Sequence, residues 1–194
     1  EYSYTINSCY LMTPAKKVQK EINKIIDELN NLTFDVEGIV CNNYAPKDTF
    51  NVQKGERAFY TRENALIIDT IREKIKEYPA EYFDYLIAPL LVKASINTNT
   101  SGVFKGFHKK KDIGHFGGKD EVNTDSRITK KIVLDKPIFS DQKHKCDVFL
   151  FKKDINRLIK ELPPIDLAYL DPPYNQHPYG SNYFMLNTIL NNEV

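Results

Sequence analysis

Apolar residues recur at helical spacing through the first half of the chain. Val18, Ile22, Ile25, Ile26 and Leu29 fall on one stripe of a 3.6-residue period, which predicts an amphipathic helix over 14–31. Thr13-Pro14 marks its start, with a capping hydroxyl followed by a residue whose fixed φ suits the first turn. Thr61 opens a second helix, with Ala65, Ile68, Ile71 and Ile75 on the apolar face and Arg62, Glu63, Arg72, Glu73 and Lys76 mostly off it. Pro79 opens a third, carrying Phe83, Leu86, Ile87, Leu90 and Leu91, which Pro89 is expected to kink.

From Asn97 to Lys145 the period fades. NTNTSGVFKGFHKKKDIGHFGGKDEVNTDSR holds five of the eight glycines and reads as long, mobile loops, of a length that in a compact domain is functional or disordered. Order returns at Asp147. DVFLF reads as a short buried strand, KDINRLIKEL as a short helix and IDLAYL as a second buried strand. Strand, helix, strand is a βαβ unit, which implies a parallel sheet and a right-handed crossover. Ligands of such sheets bind beyond the carboxyl ends of the strands, where Asp154 and Asp171 stand seventeen residues apart. GSNYFML then begins another helix, and no internal repeat is visible.

Composition changes this picture in two places. At 194 residues, 41% hydrophobic and 27% charged, the chain suits a soluble globular domain. Its formal charge of +1 hides an asymmetry, because ten lysines and one arginine stand against six acids between Asn97 and Lys145. Either a polyanion-facing segment or a solvated lysine-rich loop explains that. The three cysteines are scattered without a CxxC pair, which argues against a disulfide framework or a zinc knuckle and fits a reducing, cytoplasmic setting. His108 and His115 lack partners at ligand spacing, so no metal is expected. The longest apolar run, around Tyr85–Val92, is too short for a membrane span. The first residue is Glu1 rather than Met, and the sequence reads as a fragment of something longer.

The chemistry concentrates in LDPPY, residues 170–174. A strand cannot continue through Pro172 and Pro173, because proline lacks the ladder donor. The Asp171 and Pro172 carbonyls are thereby left as rigid acceptors, and Tyr174 adds a flat stacking surface. Acceptors beside an aromatic face suit a planar ring with an exocyclic amine. A proline-rich turn with a capping aspartate and a packed tyrosine is the plain structural alternative.

DPPY after a hydrophobic strand resembles the signature of amino-group DNA methyltransferases, whose aspartate form is typical of adenine N6 enzymes. DPPYNQHPYGSNYFMLNTI, RAFYTRENALIIDTIREKI and FKGFHKKKDIGHFGGK are similar to the site-specific adenine methyltransferases of restriction–modification systems. The resemblance implies an α/β fold: a partial Rossmann-like, S-adenosylmethionine-dependent methyltransferase core with a DNA-recognition lobe. It divides the chain into a helical part of the core (1–34), a target-recognition region (35–145) and a catalytic βαβ segment (146–194). It assigns Asp171 and the Pro172 carbonyl, followed by Pro173, to polarising the adenine amine, and Tyr174 to stacking on the flipped base. It assigns Asp154 and Ile155, with Asp171, to the cofactor side of the site, although Asp154 is equally suited to capping the helix that follows it.

Lys105, Lys109, Lys110, Lys111, Lys119, Arg127, Lys130 and Lys131 are candidates for phosphate contact. Asn97, Asn99 and Arg127 are chemically able to read base edges, ordinary surface exposure being the alternative for each. The implied co-substrate is S-adenosylmethionine without a metal. The implied partners are double-stranded DNA and a restriction endonuclease acting on the same site, with no membrane. The family's glycine-rich cofactor loop, of the pattern FxGxG, has no counterpart, since GHFGG at 114–118 lies in a polar loop. Glu1 matches a neighbour of the family's ribose-gripping acid. The sequence therefore reads as beginning after that loop, and the 194 residues alone are expected not to bind the cofactor tightly. Transfer to cytosine N4 or to RNA adenine, or a DNA-binding module without activity, are the competing readings.

Overall fold

Helices α1 (Tyr2–Leu11) and α2 (Lys16–Asn30) open the computed structural model, which describes residues 1–117, 126–139, 147–171 and 178–193. The stripe on α2 is buried as its spacing requires, with Ile22, Ile26 and Leu29 fully enclosed. The helix begins later than the Thr13-Pro14 signal suggests. Ala15 is its N-cap, and the Gln19 amide closes the turn by donating to the Pro14 carbonyl at 2.8 Å.

The short α3 (Ile39–Tyr44) leads to α4 (Arg62–Lys74), whose N-cap Thr61 accepts from the Asn64 N–H at 3.1 Å. Two 3₁₀ turns, Ile75–Glu77 and Ala80–Tyr82, precede α5 (Phe83–Ile96), which runs on through a buried Pro89. Strands β1 (Lys109–Lys110) and β2 (Ile113–Gly114) form an antiparallel hairpin, Lys109 opposite Gly114. Its turn residues Lys111 and Asp112 have φ of 50° and 68°, the left-handed pair of a tight hairpin turn. Helices α6 (Ile155–Leu158) and α7 (Tyr179–Asn191) complete the chain, α7 breaking helical geometry at Tyr183.

The βαβ unit expected over 147–170 forms only its helix. Among the described residues neither DVFLF nor IDLAYL joins a ladder. Phe149, Leu167, Tyr169 and Leu170 are exposed where burial was expected. A parallel strand needs neighbouring strands for its backbone groups and helices over its faces, and the described residues supply neither. The Rossmann-like α/β arrangement is thus not formed by them; what they form is a helical body with one hairpin.

Helix α4 organises that body by capping two others. The buried Asp69 carboxylate accepts from the N–H groups of Gly38, Val40 and Cys41 at 3.0, 3.1 and 2.8 Å, closing the N-terminus of α3. Gly38 has no room for a side chain, since a Cβ there would stand 2.8 Å from Asp69 Cγ. One turn on, Arg72 donates to the Ile189 and Leu190 carbonyls, both at 2.9 Å, at the C-terminus of α7. An anion at a helix start and a cation at a helix end both oppose the helix dipole favourably. Sequence periodicity placed Arg72 off the apolar face. It is buried because its partners are carbonyls of a helix distant in sequence.

The segment expected to be long and mobile is pinned over 97–117 and 126–139. Asn97 to Thr100 are buried, and Phe104, Phe116, Ile132 and Leu134 enter the core. Two asparagines dock 130–134 as strand partners would. Asn64 gives its amide to the Lys130 carbonyl and accepts from the Ile132 N–H, while Asn30 bonds both backbone groups of Leu134. One hydrophobic cluster joins Ile22 and Leu29 to Phe59, Leu90, Ile132 and Met185, so it draws on all three stretches into which the sequence was divided. Cys9 and Cys41 are buried and unpaired by disulfide. Burial pushes both thiols up to about 12, leaving them protonated and inert at neutral pH. Cys146 lies outside the described residues. Among the described residues no helix is long and apolar enough to cross a membrane.

Candidate active site

Asp171 is exposed and ends the exposed run from Ile165. Pro172, Pro173 and Tyr174 lie outside the described residues, which resume at Pro178, the N-cap of α7. What the structure shows is how α7, the helix that follows DPPY in sequence, is fixed. Arg72 holds its C-terminus, Tyr183 packs on Tyr2 and Tyr179 at ring separations of 5.5 and 4.9 Å, and the Asn187 side chain accepts from the Tyr2 N–H at 3.0 Å. Burial raises the Tyr2 phenol well above its ordinary value, so this tyrosine group is neutral packing rather than acid–base machinery.

Asp154 sits where the second reading of it placed it. Its carboxylate caps α6, accepting from the N–H groups of Asn156 and Arg157 at 3.0 and 3.2 Å. It also lines a cleft of about 460 Å³ between α1 and residues 150–154, together with Tyr4, Asn7 and Phe151. Glu1 pairs with Asn191 at 2.8 Å and with Lys152, a residue of the cleft, at 3.0 Å, and these partners hold its carboxyl below the usual range. Two aromatic side chains, an amide and a carboxylate are groups able to hold a purine nucleoside. Ile155, the first residue of α6, is half exposed. Sequence reading missed Tyr4, Asn7 and Phe151, because nothing in EYSYTIN marks it as the wall of a cleft.

The basic residues divide. Lys109, Lys110 and Lys111 occupy the exposed hairpin, with the Lys109 ammonium 5.1 Å from the Phe107 ring centre. The hairpin is joined to the body through Phe59, whose ring meets Phe107 at 5.2 Å, Phe184 of α7 at 6.1 Å and Tyr44 at 6.0 Å. Lys105 is exposed on the same arm. Lys131 is committed to Glu63 at 3.6 Å and lies over Phe34. Lys130 is exposed, its carbonyl holding Asn64 and Asn97.

Arg127 donates to the carbonyls of Ile96, Thr98 and Thr100. Asn97 bonds the Arg127 carbonyl at 3.0 Å, and Asn99 bonds those of Ala58 and His115 at 2.9 and 3.1 Å. These three side chains, chemically able to read bases, clasp the 96–100 turn, Asn97 and Asn99 from within the body and Arg127 from its exposed side. Lys119 lies outside the described residues. Among the described residues no group of three or more histidine, cysteine, aspartate or glutamate side chains is placed to hold a metal ion.

An exposed aspartate followed in sequence by two prolines, a cleft lined with aromatic and polar side chains and an exposed lysine hairpin suit an enzyme that acts on nucleobases. The chain belongs to the D12 class N6 adenine-specific DNA methyltransferase family, which it matches over residues 6–193. It is 31% identical to the type II methyltransferase M.CviAII of Paramecium bursaria Chlorella virus 1, over 97% of this chain and 51% of that protein. It is 29% identical to the type II methyltransferase M.NlaIII of Neisseria lactamica, again over 97% and 51%. With the modification methylase LlaI of Lactococcus lactis subsp. lactis the identity is 34%, over 77% of this chain and 22% of that protein. The chain thus spans about half or less of the length of these relatives. No solved structure matches it.

Proposed function

We propose that the whole protein transfers a methyl group from S-adenosylmethionine to N6 of an adenine in a specific DNA sequence, as part of a restriction–modification pair. Family membership across nearly the entire chain, with the aspartate form of the DPPY signature at 171–174, is the observation that carries this reading. Asp171 and the Pro172 carbonyl accept hydrogen bonds from the two amine hydrogens, which localises the nitrogen lone pair for attack. Tyr174 stacks on the base once it has left the duplex, a displacement that costs a few kcal/mol of unstacking. Tyr4, Phe151 and Asp154 would hold the adenosine end of the cofactor. When bound, S-adenosylmethionine supplies the electrophilic methyl.

The lysine hairpin positions the duplex through its phosphates, and such contacts carry no sequence information. Asn97 and Asn99, buried, build the turn beneath it and take no DNA contact, whereas Arg127 is exposed and is proposed as a further phosphate contact. Replacing Lys109, Lys110 and Lys111 with alanine is expected to weaken binding to all duplexes alike. It should flatten the plot of log affinity against log salt by about one unit for each phosphate no longer neutralised. A salt titration with an unchanged slope would make the hairpin a solvated loop. The cytosine N4 alternative is separated by an oligonucleotide panel in which adenines and cytosines are changed one at a time.

A further inference from the structure

Glycine inside a strand weakens it, and its presence marks a place where another group comes close. Gly114 is such a position. It is buried in β2 and stands directly opposite Lys109 of β1 in the hairpin ladder. Its φ lies outside the left-handed region, so the position requires the missing side chain and not a special backbone. A Cβ there would lie 2.5 Å from Ala58 Cβ, 3.2 Å from Phe107 Cε2 and 3.3 Å from Val52 Cγ1. Carbon atoms in contact stand about 3.5–4.0 Å apart, so one added methyl would push hairpin and body apart by about 1 Å.

The hairpin's foot is fastened at the same place. Asn99 is fully buried. Its side-chain amide donates to the Ala58 carbonyl at 2.9 Å and to the His115 carbonyl, just beyond β2, at 3.1 Å. Its main-chain carbonyl accepts from the N–H of His108, just before β1, at 3.1 Å, and its own N–H donates to the Phe59 carbonyl at 2.8 Å. Both strands thus stand on Ala58, Phe59 and Asn99. From there the path to α7 is short. The Phe59 ring meets Phe184 of α7 at 6.1 Å, and the Phe104 N–H donates to the Asn182 carbonyl of α7 at 2.8 Å. Close-packed interiors transmit a displacement rather than absorb it, so the seat of the hairpin is fixed relative to the helix that follows DPPY in sequence.

We propose that Gly114 is a positioning residue for methyl transfer: by lacking a side chain it lets the lysine hairpin seat on Ala58, and that seat sets how the duplex is presented to Asp171. The proposal rests on the DNA-facing reading of the hairpin and on Asp171 as the amine acceptor. It separates binding from chemistry. Lysine ammoniums on flexible stems follow the phosphates through a shift of about 1 Å. The reacting atoms cannot, because a misplacement of about 1 Å can lower a rate by about a hundredfold.

The test uses the whole protein, with methyl-labelled S-adenosylmethionine and unmodified plasmid DNA for single-turnover rates and a fluorescent mixed-sequence duplex for affinity across a salt series. The variants are Gly114→Ala and Gly114→Ala/Ala58→Gly, the second of which removes the carbon met at 2.5 Å. Gly114→Ala is expected to lower the single-turnover rate by about ten- to a hundredfold, with duplex affinity within about threefold of wild type and the salt slope kept. Ala58→Gly in the same chain is expected to bring the rate back to within about threefold of wild type. A Gly114→Ala rate within about twofold of wild type overturns the proposal. So does a loss that Ala58→Gly does not restore, or one that comes with a flatter slope, since Gly114 would then serve only to hold the hairpin on the fold. Should Gly114→Ala unfold before the assay, Phe107→Leu, which loosens the same seat at a partly exposed ring, must show the slowed rate with the slope kept, and a wild-type rate there overturns the proposal. Wild type that binds duplex without salt dependence overturns the reading of the hairpin, and wild type that transfers no methyl overturns the proposed function; either result takes the positioning role with it.

Discussion

Asp171→Ala in the whole protein is expected to lower methyl transfer by about a hundredfold or more while duplex affinity stays within about threefold. The adenine amine is a poor nucleophile while its lone pair is delocalised into the ring. A carboxylate that accepts one amine hydrogen favours the localised form most strongly in the transition state, so its loss falls on the rate rather than on ground-state binding. Removing a single preorganised group of this kind costs about 2.7–4 kcal/mol in other enzymes. Asp171 is exposed and holds no other part of the described fold, so the variant should unfold with the wild type. Single-turnover assays at saturating DNA measure the effect. Retention of more than about a tenth of the rate would remove Asp171 from the reacting centre.

The largest effect on stability is expected at Asp69. Asp69→Ala strands three N–H groups at the start of α3, two of them, Val40 and Cys41, bonded within the buried interior. Each unsatisfied buried donor costs about 1–3 kcal/mol, and some water will enter the space, so a loss of about 3–5 kcal/mol is expected. Urea unfolding should show it as a lower midpoint with an unchanged slope. Asp69→Asn keeps one acceptor oxygen and should fall between the two. A loss for Asp69→Ala below about 1 kcal/mol would mean that α3 does not depend on this cap.

The pH dependence has a definite sign. Burial is the leading cause that raises the Asp69 carboxyl, and the Cys41, Val40 and Gly38 N–H groups oppose it. Because the folded value lies above the unfolded one, ionisation costs the native state stability. The advantage of wild type over Asp69→Asn should therefore shrink as pH rises from about 4 through the raised value.

Helices were legible wherever the partner surface was general. The α2 stripe, the Thr61 cap and the core face of α4 each need only apolar surroundings or a local donor, and the sequence states both. Arg72 and Asp69 were not legible as caps, since their partners are backbone groups 117 and 28 residues away in sequence and no local pattern encodes such distances. The buried amides of Asn97 and Asn99 were not legible as a clasp for a related reason. A polar, glycine-bearing stretch looks like loop whether its side chains face water or bond carbonyls inside.

The strands expected at 147–151 and 165–170 show the opposite case. Their sequences have the apolar character of sheet, but a strand is completed by neighbours, and among the described residues none is present. The family was the most readable part, because DPPY is a local signature of four consecutive residues. The cleft wall of Tyr4, Asn7 and Phe151 was not, being assembled from segments at opposite ends of the chain.

The central claim is that this family member acts on the exocyclic amine of adenine in DNA. The direct measurement incubates the whole protein with duplex DNA and S-adenosylmethionine labelled in the methyl group, digests the product to nucleosides and separates them. The account predicts label in N6-methyldeoxyadenosine, absent when Asp171 is alanine. Label in N4-methyldeoxycytidine, or incorporation into RNA but not into duplex DNA, would contradict it.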